Sequence, residues 1–527
     1  MYRKYFVVVC GVVVSLLSFS QTPVSQLQMQ KMNQVLYAVK NLYVDTVNDS
    51  QMVDDAIRGM LENLDPHSLY IPAKEVQMAN EPLQGSFDGI GVQFQIQKDT
   101  LVVVNPLRNC PAEKVGVLMG DKVISVDGKT VAGVKMPTQE IMKLLRGKRG
   151  TKVVVTIVRS GVQKPIDFVI VRDKIPLYSV EVAYEIAPKV GYINISSFSM
   201  TTTKEFRSAL RMLEKKGITS LIIDLQMNGG GVMSAALDVL DECMPSKREL
   251  LFTKGENLPR QSYYSRTNDY FKGNIVVLID EYSASASEIV AGAFQDWDRA
   301  VVVGRRSFGK GLVQRPFNLL DGSEIRLTIA RYYTPSGRNI QKPYDGGMDK
   351  YRKELWGRRN HGELQNVDSI NFPDSLKYKT LLLERTVYGG GGIMPDVFVP
   401  LDTTRFNDFH RNIVAKGILN QEILTFVEKE KHSIKQKYSD FNAFSHSYVV
   451  PEQLFEKLIQ EAKKNNVESP IEQVQLSKPT IMLQIKALLA RTIYEQGDYY
   501  KIINIENDIV QKGLEVINNF SNYLNEK

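Results

Sequence analysis

The stretch Asn274-Ile275-Val276-Val277-Leu278-Ile279-Asp280-Glu281-Tyr282-Ser283-Ala284-Ser285-Ala286-Ser287-Glu288-Ile289-Val290-Ala291-Gly292-Ala293-Phe294 changes pattern halfway along. Its first seven residues are short, apolar and β-branched, as in a strand buried on both faces of a parallel sheet. Small residues follow, and from Glu288 to Phe294 the spacing is helical. Ser285 is therefore expected at a strand-to-helix turn, exposed at the carboxyl end of a sheet. The N–H of Ala286 then points outward from a helix N-terminus, where it can serve as an oxyanion donor.

Downstream lies Ser307-Phe308-Gly309-Lys310-Gly311, with Gln314 four residues after the lysine. The 25 residues from Ser285 to Lys310 are enough for one helix and a return strand, 299–304, to the same sheet edge. The pattern suggests a serine nucleophile with a lysine base. A lysine near its ordinary pKa of ~10.4 is a poor base at neutral pH, so such a pair requires burial that favours the neutral amine. Gln314 takes the place of a third triad member, orienting that amine. Taken singly, Ser285 is better explained as a helix N-cap and Lys310 as a surface lysine in a glycine-rich turn.

Two competing chemistries are open to the same residues. Gly304-Arg305-Arg306-Ser307-Phe308-Gly309-Lys310 matches the first seven positions of a phosphate-binding P-loop. The eighth position is Gly311, however, where Mg²⁺ coordination needs Ser or Thr, and the apolar strands ending in Asp224 and Asp280 precede the loop instead of following it. The five histidines (His67, His361, His410, His432, His446) are scattered, yet His67 or His361 could complete a Ser-His pair in space.

Composition limits the remaining classes. The chain has 527 residues, 43% hydrophobic and 24% charged, enough for several packed cores and unlike a disordered or fibrous protein. A net charge of +7 over this length, without a long basic run, gives no sign of a nucleic-acid partner. Arg3 and Lys4, the apolar stretch 5–19 and Ser18-Phe19-Ser20 form an export-signal pattern over residues 1–20. Membrane association is expected only if that segment stays uncleaved. Cys110 and Cys243 fall in different expected domains, so neither a disulfide framework nor a metal site is expected, and no cofactor is indicated.

Residues 21–83 read as helical, interrupted by the turn Leu64-Asp65-Pro66-His67-Ser68-Leu69-Tyr70. From Gly85 the pattern turns to short β-type runs at 90–94, 101–104, 122–126 and 152–157, with one helix at 138–145. This order resembles a PDZ domain over 84–172. Gly89-Ile90-Gly91-Val92 stand in the place of its carboxylate-binding loop, and Cys110-Pro111-Ala112-Glu113-Lys114-Val115-Gly116 and Met119-Gly120-Asp121-Lys122-Val123 extend the match. In that fold, loop N–H groups capture a free C-terminal carboxylate while the last residues of the ligand add as a strand. Beyond residue 175, strands at 190–195, 221–225 and 274–280 alternate with helices at 203–215, 234–240 and 288–294, which implies an α/β layer. Asn228-Gly229-Gly230-Gly231 lies between strand and helix, and Gly230 or Gly231 is the expected second oxyanion donor. Beyond Leu401 the chain is polar with amphipathic helical stretches and no motif that carries chemistry.

The order of these motifs is similar to that of the carboxyl-terminal processing (tail-specific) proteases. It includes Leu64-Asp65-Pro66-His67-Ser68, the PDZ segment, Asp224-Leu225 with Asn228, Gly230 and Gly231, Ser283 to Glu288, Phe308 to Gly311 with Gln314, and Gly391-Gly392-Ile393 with Pro395-Asp396. The resemblance implies an α/β fold: a crotonase-like (ClpP-like) serine protease domain over 173–400, an inserted PDZ domain, and helical N- and C-terminal segments, the latter over 401–527. It implies a secreted, periplasmic or cell-envelope endopeptidase in which Ser285 attacks, Lys310 is the base and Gln314 supports it. Ala286 with Gly230 or Gly231 would hold the oxyanion, and the PDZ domain would dock unfolded or C-terminally exposed proteins. An activating adaptor and an oligomer stay open as partners. Gln226 and Gly229 depart from the arginine and proline expected of the family at those positions. A protein that binds C-termini with a silent protease domain is the alternative from another class.

Overall fold

The computed structural model describes residues 25–524, so the export-signal pattern of residues 1–20 lies outside the described residues. Two units are distinguished, Met1–Asn63 and Leu64–Lys527. In the first, helices Gln26–Leu42 and Asp49–Glu62 are N-capped by the side chains of Ser25 and Asn48, and Lys40 pairs with Asp49. Among the described residues no helix is long and apolar enough to cross a membrane.

The second unit is built on a six-stranded sheet in the order Val180–Ala187, Val190–Ile195, Ser220–Asp224, Asn274–Ile279, Val301–Gly304 and Val397–Phe398. The first pair is antiparallel and the others are parallel. Because successive strand residues face opposite sides, Ile275, Val277 and Ile279 enter one core while Val276 and Leu278 enter another. Helices Thr202–Lys215, Met233–Asp241 and Ala286–Asp296 fill the first core. The second is closed by Asp508–Asn518, through Ile509, Val510, Val516 and Ile517. A Cβ on Gly513 would lie 2.8 Å from Leu278 Cδ2, so the missing side chain lets this helix sit close against the sheet.

A five-stranded antiparallel sheet, which the strand-helix alternation does not foretell, supplies the other wall of the cleft. Leu69–Ile71, Glu324–Tyr333, Glu249–Lys254 and Gln261–Tyr264 follow in that order, and Leu312–Asn318 also pairs with Glu324–Tyr333. The expected turn at 64–70 thus ends in a strand. The segment is too short to show a period of its own, and pairing with residues some 250 positions away defines it.

Strands Ser86–Gly89 and Asp173–Pro176 pair as a two-stranded stem, and the small β-domain lies between them. Its sheet runs Val92–Gln97, Thr100–Pro106, Lys122–Val126, Lys152–Val158, Ile166–Val171. Helix Thr138–Leu145 buries Ile141 and Leu145 in this domain's core. Helices from Asp408–Ala415 to Asp498–Ile503 pack around a separate core that includes Phe409, Val427, Leu458 and Ile485.

Candidate active site

Ser285 stands at the N-cap of Ala286–Asp296 with φ 55° and ψ −111°. A non-glycine residue in that region costs about 1–3 kcal/mol and persists only where its surroundings impose it. The flanking serines account for this. Ser283 Oγ donates to the Leu225 carbonyl at 2.7 Å, and Ser287 Oγ and Ala284 N–H both donate to the Asn228 carbonyl at 2.9 Å. The buried Asp280 carboxylate accepts the N–H groups of Met227, Tyr282 and Ser283. The Ser285 turn and the glycine turn are thereby fastened to each other, and Ser285 alone of the three serines is only half-buried.

Two buried side chains then join the serine to the lysine. Glu288 Oε2 accepts the N–H groups of Ser285 (2.8 Å) and Lys310 (2.9 Å), while its Oε1 accepts Ser307 Oγ (2.5 Å) and Gly309 N–H (2.7 Å). Tyr332 donates its hydroxyl to the carbonyls of Lys310 (2.8 Å) and Ser285 (3.1 Å). Sequence reasoning assigned no role to either residue. Glu288 carries a legible signal, since Ser285-x-x-Glu288 has capping-box spacing, but Tyr332 has none.

Ser285, Ala286, Lys310 and Gln314 line one cavity of about 670 Å³, together with Gly229 to Gly231 and His67. Burial holds the Lys310 ammonium below its ordinary pKa, partly opposed by the carboxylates of Glu288 and Asp65. The residues after Lys310 continue into the strand Leu312–Asn318, whereas a P-loop lysine opens a helix. Gln314 donates its Nε2 to Thr328 Oγ1 at 3.2 Å.

The glycine turn differs in one respect from expectation. Gly230 N–H is donated to Asn228 Oδ1 at 2.8 Å, so it is already committed. Gly230 instead permits close approach: with φ 96°, a Cβ there would lie 2.6 Å from the Ala284 carbonyl oxygen and 2.8 Å from Ser285 Cβ. The N–H groups of Gly231 and Ala286 donate to no group among the described residues. Of the two histidines kept as alternative bases, His361 is exposed at the end of helix Met348–Asn360. His67 does line the cavity, but its ring nitrogen Nε2 is engaged with the Tyr351 hydroxyl at 2.8 Å. Burial and the neighbouring Lys310 lower its pKa to about 4, leaving a weak base.

In the small β-domain, Gly89 ends the stem strand and Val92 opens Val92–Gln97, one of the two edges of that sheet. The carbonyls of Ile90 and Gly91 are taken up by the N–H groups of Ala112 and Leu107. Gly91 has φ 77°, and a Cβ there would lie 2.4 Å from Cys110 Cβ. An edge strand beginning at such a loop is the geometry that strand addition requires.

Residues 189–348 match Peptidase family S41, 89–169 match a PDZ domain, 16–75 match the Activating protease CtpB N-terminal domain, and 409–495 match a family of unknown function. A carboxy-terminal-processing protease of Bartonella bacilliformis is 36% identical over 320 residues, which are 60% of this chain and 73% of the relative. Carboxy-terminal processing protease CtpA of Bacillus subtilis is 36% identical over 326 residues, 60% of this chain and 67% of the relative. Among solved structures, a photosystem II D1 C-terminal processing protease is 27% identical, spanning 60% of this chain and 91% of that one at a TM-score of 0.35. With a PDZ domain set in an S41 peptidase and more than two thirds of such a relative covered, the chain belongs to the carboxy-terminal processing proteases, a family of serine-type peptidases.

Proposed function

We propose that the chain is an exported endopeptidase working through a Ser285–Lys310 dyad supported by Gln314. The observation that carries this reading is the double fastening of Ser285 to Lys310 by Glu288 and Tyr332 at one cavity. Lys310, neutral when it acts, takes the Ser285 hydroxyl proton as Oγ bonds to the scissile carbonyl carbon. The oxyanion that forms is held by the N–H groups of Ala286 and Gly231, and that of Gly230 joins them only if it leaves Asn228. The lysine ammonium gives its proton to the departing amine. Water, deprotonated by the Lys310 amine, then adds to the acyl carbon, and the lysine ammonium returns that proton to Ser285 Oγ as the ester bond breaks.

Substrates in this reading are unfolded or C-terminally exposed proteins of the cell envelope. Their last residues add to the edge strand Val92–Gln97, and the loop Gly89, Ile90, Gly91, Val92 receives the carboxylate. The working divisions are 21–83, 84–172, 173–400 and 401–527, with Leu69–Ile71 and Asp508–Asn518 packed into the third. The test is cleavage of an unfolded protein with an apolar free C-terminus by the full chain, beside Ser285→Ala and Lys310→Ala. Loss of turnover in both supports the dyad. Retention in Lys310→Ala moves the base to His67, and binding without turnover by the wild type points to the C-terminus-binding alternative or to an enzyme awaiting an activator.

A further inference from the structure

We propose that Asp65 and Thr328 are positioning residues that fix which end of the Gln314 carboxamide faces Lys310. This inference rests on the dyad reading above. A carboxylate can only accept, so the proton of Thr328 Oγ1, 2.9 Å from Asp65 Oδ1, is committed to Asp65. The Thr328 oxygen is then left as an acceptor, and Gln314 Nε2 donates to it at 3.2 Å. With its NH₂ end engaged there, the carboxamide keeps Oε1 for the cavity that it lines together with Lys310. An amine that donates to a fixed oxygen has its lone pair directed. A flipped amide would instead present N–H groups to it, and the negative charge at the far end of the chain of hydrogen bonds prevents the flip.

Asp65 is itself fixed. It is buried, and its Oδ1 also accepts the N–H groups of His67 (2.8 Å) and Ser68 (3.0 Å), while Oδ2 accepts Ser68 Oγ (2.5 Å). Ser68 Oγ in turn accepts the Thr328 N–H at 3.0 Å, and Thr328 is the cross-strand partner of Gln314. The motif Leu64-Asp65-Pro66-His67-Ser68 precedes the S41 match at 189–348, so a distant segment completes the site. Asp65 has a second, separable effect. Of the charged groups around Lys310, Glu288 and Asp65 favour its ammonium and Arg326 opposes it, while His67 is neutral above about pH 4.

The experiment is kcat and KM of the full chain on the unfolded substrate from about pH 6 to about pH 10. Thr328→Val should lower kcat by about 10-fold with KM within about 2-fold and the midpoint of the rising limb unmoved. Thr328→Ser, which keeps the hydroxyl, should stay within about 2-fold of wild type. Asp65→Asn should move the rising limb to lower pH, because a charge that favours the ammonium is gone. In a Gln314→Ala background, Thr328→Val should change kcat by less than about 2-fold. Wild-type kcat in Thr328→Val, equal losses in the valine and serine variants, or full additivity with Gln314→Ala would each overturn the proposal. Thr328→Ala also lacks the hydroxyl and serves if the valine variant does not fold. Turnover retained by Lys310→Ala in the same assay would instead sink the dyad, whatever Thr328 does.

Discussion

The two faces of the six-stranded sheet are covered by different parts of the chain. One is packed by helices that alternate with its own strands, and the last of these, Ala286–Asp296, begins immediately after Ser285. The other is closed by Asp508–Asn518, which returns after a helical region with a core of its own. On the first face, packing and chemistry share residues: the helix that buries Ile289, Val290 and Phe294 also carries Glu288. On the second, Ile509, Val510, Val516 and Ile517 contribute only apolar contact. Substitutions on the first face should therefore change turnover, and those on the second should change stability alone.

The largest effect is expected from Glu288→Ala. Four donors lose a fully buried acceptor, and each bond to a charged group is worth about 1.5–3 kcal/mol. Turnover should fall by at least about 10³-fold in single-turnover assays, with a lowered thermal midpoint. Glu288→Gln must present its own N–H groups to two of those donors, so it should not restore activity. Next comes Gly230→Ala, whose Cβ would enter the turn that carries Ser285. A displacement on the order of 1 Å there should cost about 10²-fold in kcat while leaving unfolding little changed.

Gly513→Val sharpens the contrast from the other face. Its added carbons meet Leu278, and overpacking of this kind costs about 1–3 kcal/mol. Calorimetry should show a lower Tm, and kcat at 25 °C should stay within about 2-fold of wild type. A tenfold fall in kcat would mean that the 508–518 helix reaches the chemistry, and the distinction between the faces would be lost.

The same contrast explains what could be read from the sequence. The strand 274–279, the helix after it and the 138–145 helix carry their periodicity locally, and their bounds lie close to the expected ones. Ser285, Lys310 and Gln314 stand in short motifs, and the structure brings all three to one cavity. Tyr332 reaches the Ser285 carbonyl and Thr328 bonds to Asp65 beside its own strand, contacts between distant segments that carry no local pattern. Gly230 looked like any glycine able to offer its N–H until the Asn228 side chain was placed. Asp508–Asn518 is amphipathic, but nothing in its sequence says which distant face it covers.

The smallest expected effect concerns the pH dependence of stability that His67 and Asp280 give the cleft side. His67, lowered by burial and Lys310 to about 4 from 6.5, refuses a proton that the unfolded chain accepts. The stability it contributes is present above pH 6.5 and is lost as pH falls through about 4. Asp280 has the opposite sign. Burial, and then the charge of Glu281, raises it from 3.8 to about 6, so the stability it contributes is present below 3.8 and is lost as pH rises through about 6. Between pH 6.5 and 4 the two partly cancel in the wild type, while the buried Asp224, also raised by burial, has the sign of Asp280 but lies on the other face, where it accepts the Tyr192 hydroxyl. Urea midpoints at about pH 6.5 and about pH 4.5 separate them. On acidification His67→Gln should lose less stability than wild type, and Asp280→Asn should lose more. Gly513→Val should lower both midpoints by the same amount, because the side chains nearest its Cβ are those of Leu278, Val276 and Ile222, none of which titrates. A pH-dependent loss in Gly513→Val would mean that the overpacking reaches Asp224, the carboxyl group buried on that face.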